Sequence, residues 1–142
     1  MIRYARLADA EKLFNWRNSD EIRQISTNQD VISWANHSNW FLEAIKQKDT
    51  LLFVIDNAGS VRVDRIEDYA RISIYLLKEY QGKGLGVTAI NQAVRVAFNK
   101  WHIKKVVAHI KTDNEPSIKA FTKAGFIEKP SSLDGHKEYV IV

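Results

Sequence analysis

The 142-residue chain contains no cysteine, and that absence excludes disulfide bonds, a cysteine nucleophile and thiolate metal ligands. Its four histidines, at positions 37, 102, 109 and 136, lack the paired spacing of metal ligands, so we expect no metal site. No apolar run approaches the roughly 20 residues that a membrane span needs, and the first residues lack the apolar core of a signal peptide. We therefore expect a cytoplasmic protein that contacts no membrane.

Charge and composition indicate which classes of ligand the chain can bind. The net charge of +4 is mild and suits an anionic ligand, but it is too small and too scattered to predict nucleic-acid binding. Apolar residues make up 45% of the chain, with four Trp and six Phe, and no repeat, linker or low-complexity segment interrupts them. The sequence predicts one folded domain over residues 1–142, acting as a monomer or a homodimer.

The first half of the chain predicts a strand, two helices and a three-stranded meander. Residues 2–7 form the strand, Asp9 caps a helix that ends near residues 18–20, and the polar stretch 21–36 contains a short helix or a loop. Ser38 is the expected cap of the next helix. Three strands then follow over 51–55, 59–66 and 70–77, joined by tight turns.

The second half predicts a crossover. A helical pattern over 82–101 separates the strand at 70–77 from an alternating strand at 106–111, so these two strands are expected to be parallel neighbours. A shorter helix over 115–124 stops at Gly125, and segments 126–127 and 138–142 form a final strand pair. The fold class is α/β (α+β), with a mixed central sheet of about six or seven strands flanked by about four helices.

A glycine-rich turn joins the strand at 70–77 to the helix that follows. Segment 81–86 reads Gln-Gly-Lys-Gly-Leu-Gly. Backbone N–H groups converge at such a turn, the helix dipole favours negative charge, and glycines let a phosphate approach the main chain. The alternative, a turn that merely caps a helix, is equally compatible with this segment alone.

A second motif, Asn-Glu-Pro-Ser-Ile-Lys-Ala-Phe-Thr-Lys-Ala-Gly-Phe at 114–126, decides between them. Asn114 can cap a helix whose first turn tolerates Pro116, and Ala120 is small enough for a ligand to lie against it. The two motifs, in this order and on these elements, resemble those of the GNAT family of acetyl-CoA-dependent N-acetyltransferases. Gln81, Gly84 and Gly86 match the family's glycine-loop pattern, and the predicted element order agrees over nearly the whole chain.

The resemblance implies an acetyl-CoA site between two parallel strands that splay apart. The main chain at 74–76 would hold the pantetheine arm, the amides of the glycine loop would hold the pyrophosphate, and Lys123 would lie near the cofactor's outer end. The cofactor-binding residues expected on this basis are Ile74, Tyr75, Leu76, Gln81, Gly82, Lys83, Gly84, Leu85, Gly86, Asn114, Ser117, Ala120, Phe121 and Lys123.

The residues for acid–base catalysis depart from the family's common pattern. Many relatives have a tyrosine acid where this chain has Phe121, which cannot donate a proton, and a glutamate base where it has Arg71. Thr122, Tyr75 and Tyr80 are the hydroxyls nearby, and Tyr75 is the candidate catalytic residue among them. His37 is the candidate base, because an imidazole titrates near physiological pH, whereas a capping or packing role is the alternative. His109, which alternates within a strand, is expected to be structural.

The first third of the chain gives the indication of which acceptor is bound. Its Trp-Arg-Asn at 16–18 and its Ser33, His37 and Trp40 resemble a GNAT subgroup that acetylates nucleotide-linked amino sugars, and also the acetyltransferases of ribosomal-protein N-termini. Arginines can pair with a diphosphate and a tryptophan can stack on a base. The expected acceptor is a small-molecule amine such as a nucleotide-linked amino sugar. The alternative acceptor is the α-amine of a protein or peptide, and the alternative function is that of a non-catalytic acyl-CoA-binding module. The expected acceptor-binding residues are Arg17, Asn18, Arg23, Trp34 and His37.

Overall fold

The computed structural model describes residues 2–26, 28–131 and 133–142. Its strands are β1 (Ile2–Tyr4), β2 (Thr50–Ile55), β3 (Gly59–Ile66), β4 (Tyr69–Leu76), β5 (Val106–Lys111), β6 (Ile127–Lys129) and β7 (His136–Ile141). Its helices are α1 (Ala10–Asn18), α2 (Asp20–Ile25), α3 (Trp34–Ala44), α4 (Leu85–Lys100) and α5 (Glu115–Lys123). Single 3-10 turns precede α1 at Leu7–Asp9 and follow β4 at Lys78–Tyr80.

The strands form one seven-stranded sheet in the order β1-β2-β3-β4-β5-β7-β6. Strands β1 to β4 are antiparallel neighbours, as the tight turns predict, and β4 and β5 are parallel because α4 carries the chain across. The parallel pairing covers Ala70 with Val106 and Arg71 with Val107 and then ceases. The predicted splayed pair is therefore confirmed, and the sheet is split from Ile72 onwards.

The two faces of the sheet differ in what covers them. One face carries the larger core, in which β-strand residues such as Val61 and Ile72 pack on Ala89, Ile90 and Ala93 of α4. Those α4 residues recur at three- and four-residue intervals, so they form one apolar stripe. On the other face a smaller core joins Leu52 and Val54 to α1 and α3. The half of that second face formed by β3, β4 and β5 carries polar residues.

Several local predictions need correction. The described residues form five α-helices rather than about four, because Ser19 caps the short helix α2 within the stretch predicted as mixed. Helix α3 begins at Trp34, four residues before Ser38, because the hydroxyl of Ser33 accepts a hydrogen bond from the Asn36 amide at 3.2 Å. The first strand ends at Tyr4 rather than at residue 7. None of the helices formed by the described residues is long and apolar enough to cross a membrane.

Asp9 does not cap α1 through its side chain, which was the predicted role. Its carboxylate instead accepts two hydrogen bonds from the Arg3 guanidinium, both at 2.8 Å, and one from the Arg6 amide at 2.7 Å. These bonds hold the pKa of the buried Asp9 carboxyl at about 2. The ion pair ties the edge strand β1 to the start of α1, which carries part of the wall of the site below.

We predict that Asp9→Asn lowers the free energy of unfolding by about 2 kcal/mol at pH 7, since the pKa of the native carboxyl lies nearly two units below its unfolded value. This stability is complete above the unfolded pKa and disappears as the pH falls through the native value. Urea unfolding of the two proteins between about pH 7 and pH 2 measures it. A constant difference over that range would contradict the assignment.

Candidate functional site

Two cavities open on either side of the split between β4 and β5 and share a common wall. The first, of about 700 Å³, lies under α1 and α3 on the polar half of the sheet. The second, of about 480 Å³, is bounded by the glycine loop, the end of β4 and α5. Ile25, Ile74, Tyr75, Asn114 and Ser117 belong to both walls. A ligand in one cavity can therefore meet a ligand in the other at the split.

The glycine loop forms one end of the second cavity. Gly82 and Gly84 have φ angles of +77° and +80°, which side chains rarely adopt. Gly84 is the N-cap of α4, and no side chain among the described residues caps that helix end. The first amides of α4 consequently face the cavity without a side-chain partner, as an anion requires.

Strand β4 and helix α5 form the two long walls of this cavity. Ile74, Tyr75 and Leu76 border it from β4, beyond the last residue that pairs with β5. Their position is fixed from behind by Gly59 of β3, where a methyl group would overlap the Tyr75 carbonyl oxygen.

From α5 come Ser117, Ala120 and Lys123, preceded by the cap residue Asn114, which accepts a hydrogen bond from the Ser117 amide at 3.4 Å. Pro116, Lys119 and Val87 also border the cavity, and the motifs did not single out Lys119 and Val87.

Three residues expected at the cofactor lie elsewhere. Lys83 is exposed, with its Nζ 5.7 Å from the centre of the Tyr80 ring, and Leu85 packs against the larger core. Phe121 is 2% exposed, contacts Phe126 and borders the first cavity instead. The second cavity therefore consists mainly of backbone from the loop and β4, faced by small and polar side chains of α5.

The charged side chains of the first cavity differ in their hydrogen-bond and ion-pair partners. Arg62 pairs with Asp64 at 2.8 Å and stacks over Trp40 at 5.1 Å. Arg17 Nη2 donates to the Asn28 carbonyl oxygen at 2.7 Å, whereas its Nη1 is buried and has no hydrogen-bond partner among the described residues. Lys111 donates to the Gln24 carbonyl oxygen at 2.9 Å. The carboxylate in this wall, Asp30, is exposed.

His37 borders the first cavity but is 3% exposed, inside a ring of aromatic side chains from α1 and α3. Its Nε2 lies 3.0 Å from the Ala10 carbonyl oxygen, which can only accept, so Nε2 carries the hydrogen. Burial lowers the pKa of His37, and the Arg17 charge acts in the same direction. The imidazole is therefore neutral at pH 7.

Of the other four residues predicted to bind the acceptor, one borders the first cavity and three do not. Arg17 borders the cavity, as expected, whereas Asn18, Arg23 and Trp34 do not. Asn18 exchanges two hydrogen bonds of 2.8 Å with the backbone of Ile32, and Arg23 donates to the Gln29 carbonyl oxygen, so both side chains hold the segment between α2 and α3. Trp34 packs edge-on against Phe14.

The charged or titratable residues of this wall that sequence reasoning missed are Asp30, Arg62, His109 and Lys111. The alternation of apolar and polar residues along β3 and β5 could have identified Arg62, His109 and Lys111, because it places them on the face opposite the larger core. Tyr75, by contrast, was expected here. Burial raises the pKa of its phenol, which therefore stays protonated through the neutral and mildly alkaline range.

Comparison with known proteins agrees with this geometry. The family described as "Acetyltransferase (GNAT) domain" matches residues 1–127. Spermidine N(1)-acetyltransferase of Vibrio cholerae is 23% identical over 76% of this chain and 72% of its own length. A putative ribosomal N-acetyltransferase of Bacillus subtilis is 27% identical over 51% of this chain and 40% of its own.

Two solved structures share the fold. That of the Vibrio cholerae spermidine N-acetyltransferase, in complex with CoA and spermine, has a TM-score of 0.83 at 21% identity and covers 99% of this chain and 94% of that one. An aminoglycoside acetyltransferase in complex with coenzyme A and kanamycin has a TM-score of 0.80 at 18% identity and covers 99% and 93%. Since the family match spans most of the chain and the fold agrees over nearly all of it, the chain belongs to the GNAT family and is an acetyl-CoA-dependent N-acetyltransferase.

Proposed function

We propose that the enzyme transfers the acetyl group of acetyl-CoA to the amino group of a nucleotide-linked amino sugar, by direct attack in a ternary complex. The observation that carries the acceptor is Arg17, which borders the first cavity and whose buried Nη1 has no partner among the described residues. A buried guanidinium N–H left without an acceptor is costly, and a phosphate oxygen would satisfy it.

The second cavity is the proposed acetyl-CoA site. The amides of Gly82 to Gly86 would hold the pyrophosphate, and the β4 backbone at 74–76 would bond to the pantetheine arm as a replacement for the missing strand. Asn114 and Ser117 would contact the arm, and Lys123 would lie near its outer end. The thioester would then reach the split, where both cavities meet.

The charge of the first cavity distinguishes between classes of amine. Spermine and kanamycin, seen with related folds, are polycations, and a polycation needs carboxylates. Here Arg17 and Lys111 bond to backbone carbonyls rather than to carboxylates, and Arg62 already has Asp64. An amine that also carries phosphates complements these cations.

The runner-up acceptor is the α-amine of a protein or peptide. The local similarity to the putative ribosomal N-acetyltransferase supports it. An acidic peptide would meet the same cations, so the two acceptors differ in the shape that the cavity admits rather than in charge.

Catalysis would rest on positioning and on Tyr75, because Phe121 has no proton to donate. The raised pKa of the Tyr75 phenol keeps it protonated, so it would donate a hydrogen bond to the charge that develops at the thioester. A free thiol has a pKa of about 8.5, so the thiolate can leave without taking the phenolic proton. His37 as base stays a prediction from the sequence; its Nε2 carries the hydrogen and its side chain is 3% exposed.

The glycine loop is tested by an isosteric pair at one position. Gly84→Asp and Gly84→Asn introduce side chains of the same shape, and both residues tolerate a positive φ. If the loop holds a pyrophosphate, the aspartate should weaken CoA binding at least about tenfold more than the asparagine, because like charges repel. Calorimetric titration with CoA measures the difference. Gly135→Asp, at an exposed φ of +73°, is the matched control and should leave affinity unchanged.

The acceptor is tested at Arg17. We expect Arg17→Gln to lower kcat/KM for UDP-, dTDP- or GDP-amino sugars about 10- to 100-fold, since a hydrogen bond to a charged group contributes roughly 1.5–3 kcal/mol. Activity towards spermidine should not fall. Arg17→Lys should restore part of the loss, and Arg95→Gln, on the exposed face of α4, is the control. Release of free CoA thiol reports each rate, and equal losses for anionic and cationic amines would contradict the proposal.

Tyr75 gives a third test. Tyr75→Phe should lower kcat about 10-fold or more, and by the same factor at pH 7 and pH 9, because the phenol remains protonated at both. The half-buried Tyr80, outside both cavity walls, supplies the control Tyr80→Phe. A deficit that vanishes at pH 9 would show that an ordinary, ionising phenol is involved.

A further inference from the structure

His109 lies in β5 beside the point where the sheet divides. The last parallel pair joins Arg71 to Val107, and continuing that register by two residues would set His109 opposite Ser73. Ala108 and Ile110 point into the larger core, so His109 and Lys111 point to the other face, where they border the first cavity. The imidazole therefore belongs to the acceptor wall, close to where the two cavities join.

Glu138 holds this imidazole from the neighbouring strand. The two residues are direct partners in the antiparallel pairing of β5 with β7, and Nε2 of His109 lies 3.1 Å from Oε1 of Glu138. A carboxylate only accepts, so it fixes the hydrogen on Nε2 and leaves Nδ1 as the basic nitrogen. No described residue bonds to Nδ1, and the His109 side chain is 29% exposed.

The two imidazoles of the first cavity differ in these respects. His37 is held by a neutral backbone carbonyl, is nearly inaccessible and gains no support for its protonated form from a carboxylate. His109 is oriented by a carboxylate and has an exposed edge. A general base must reach the proton that it accepts, and a fixed, accessible imidazole meets that requirement.

We propose that His109 is the general base of the transfer and that Glu138 is its positioning residue. The neutral amine attacks the thioester carbonyl carbon, a C–N bond forms, and the C–S bond breaks with its electron pair going to the sulfur of CoA. The proton that the amine nitrogen loses passes to Nδ1 of His109. His109 then releases it to solvent, and the thiolate takes up a proton from solvent. The inference rests on the proposed location of the thioester at the split.

Other charged and titratable groups share the surroundings of His109. Lys111 follows it on the same face of β5, and Glu138 faces it from β7. The remaining members in the cavity wall are Arg17, Asp30, His37, Arg62 and Tyr75. A pH profile of the wild type alone therefore does not identify the base, and matched variants are required.

The test measures kcat against pH for His109→Gln, His37→Gln and the exposed control His102→Gln. The acceptor is whichever of the UDP-, dTDP- and GDP-amino sugars and spermidine gives the highest wild-type rate. We expect His109→Gln to lower kcat by about 10²- to 10⁴-fold and to remove the acidic limb of the profile. Glu138→Gln keeps a hydrogen-bonding partner but removes the charge that favours the imidazolium. It should keep the acidic limb and lower kcat by a smaller factor than His109→Gln does, because the imidazole keeps its orientation.

Three further measurements separate the possible failures. Thermal unfolding identifies variants that do not fold, in which case His109→Asn replaces His109→Gln. Calorimetry with CoA reports the cofactor site, so a CoA complex that forms normally beside an unchanged pH profile in His109→Gln overturns the role of His109 alone. Loss of the acidic limb in His37→Gln but not in His109→Gln would also overturn it. Failure of wild-type CoA binding would instead refute the proposed cofactor cavity.

Discussion

The site depends on the fact that β4 and β5 pair over only two residues. A strand inside a sheet has hydrogen-bonding groups on both edges, and β4 beyond Arg71 is paired with β3 alone. The free edge of Ile74, Tyr75 and Leu76 is therefore the feature that the pantetheine arm of acetyl-CoA would complete. The split also lies at the wall that the two cavities share, so the same departure from regular pairing would connect the proposed donor cavity to the proposed acceptor cavity.

The cavities on the two sides of the split present different kinds of groups. The proposed donor side consists of backbone features: left-handed glycines, a helix end that no described side chain caps, and a strand edge without a partner in β5. Such a surface suits the cofactor that the family shares. The proposed acceptor side consists of individual side chains, with Arg17 and Lys111 bonded to carbonyls and His109 bonded to Glu138. In that arrangement, specificity for the amine would rest on individual charges rather than on the fold.

Local patterns predicted the elements well where one element determines its own structure. Glycines at 82 and 84, the apolar stripe of α4 and the cap Asn114 each act within a few residues, and all lie where expected. The predicted cap of α3, Ser38, lies five residues after the observed cap, Ser33. The two serines are equally good caps by local chemistry, and packing against α1 selects Ser33. The same error hid how deeply His37 is enclosed.

By itself the sequence determined the family, the donor motif and the alternation that puts apolar residues on one face of each strand. Those features are local or periodic, so they can be read along the chain. Only the tertiary structure decided which polar residues share the first cavity. Arg62 and His109, which border it, come from β3 and β5, and Glu138, which bonds to His109, comes from β7. Their positions follow from strand order and register, to which one sequence gives no direct access. The Arg17 nitrogen is likewise recognised as lacking a partner among the described residues only once its surroundings are known.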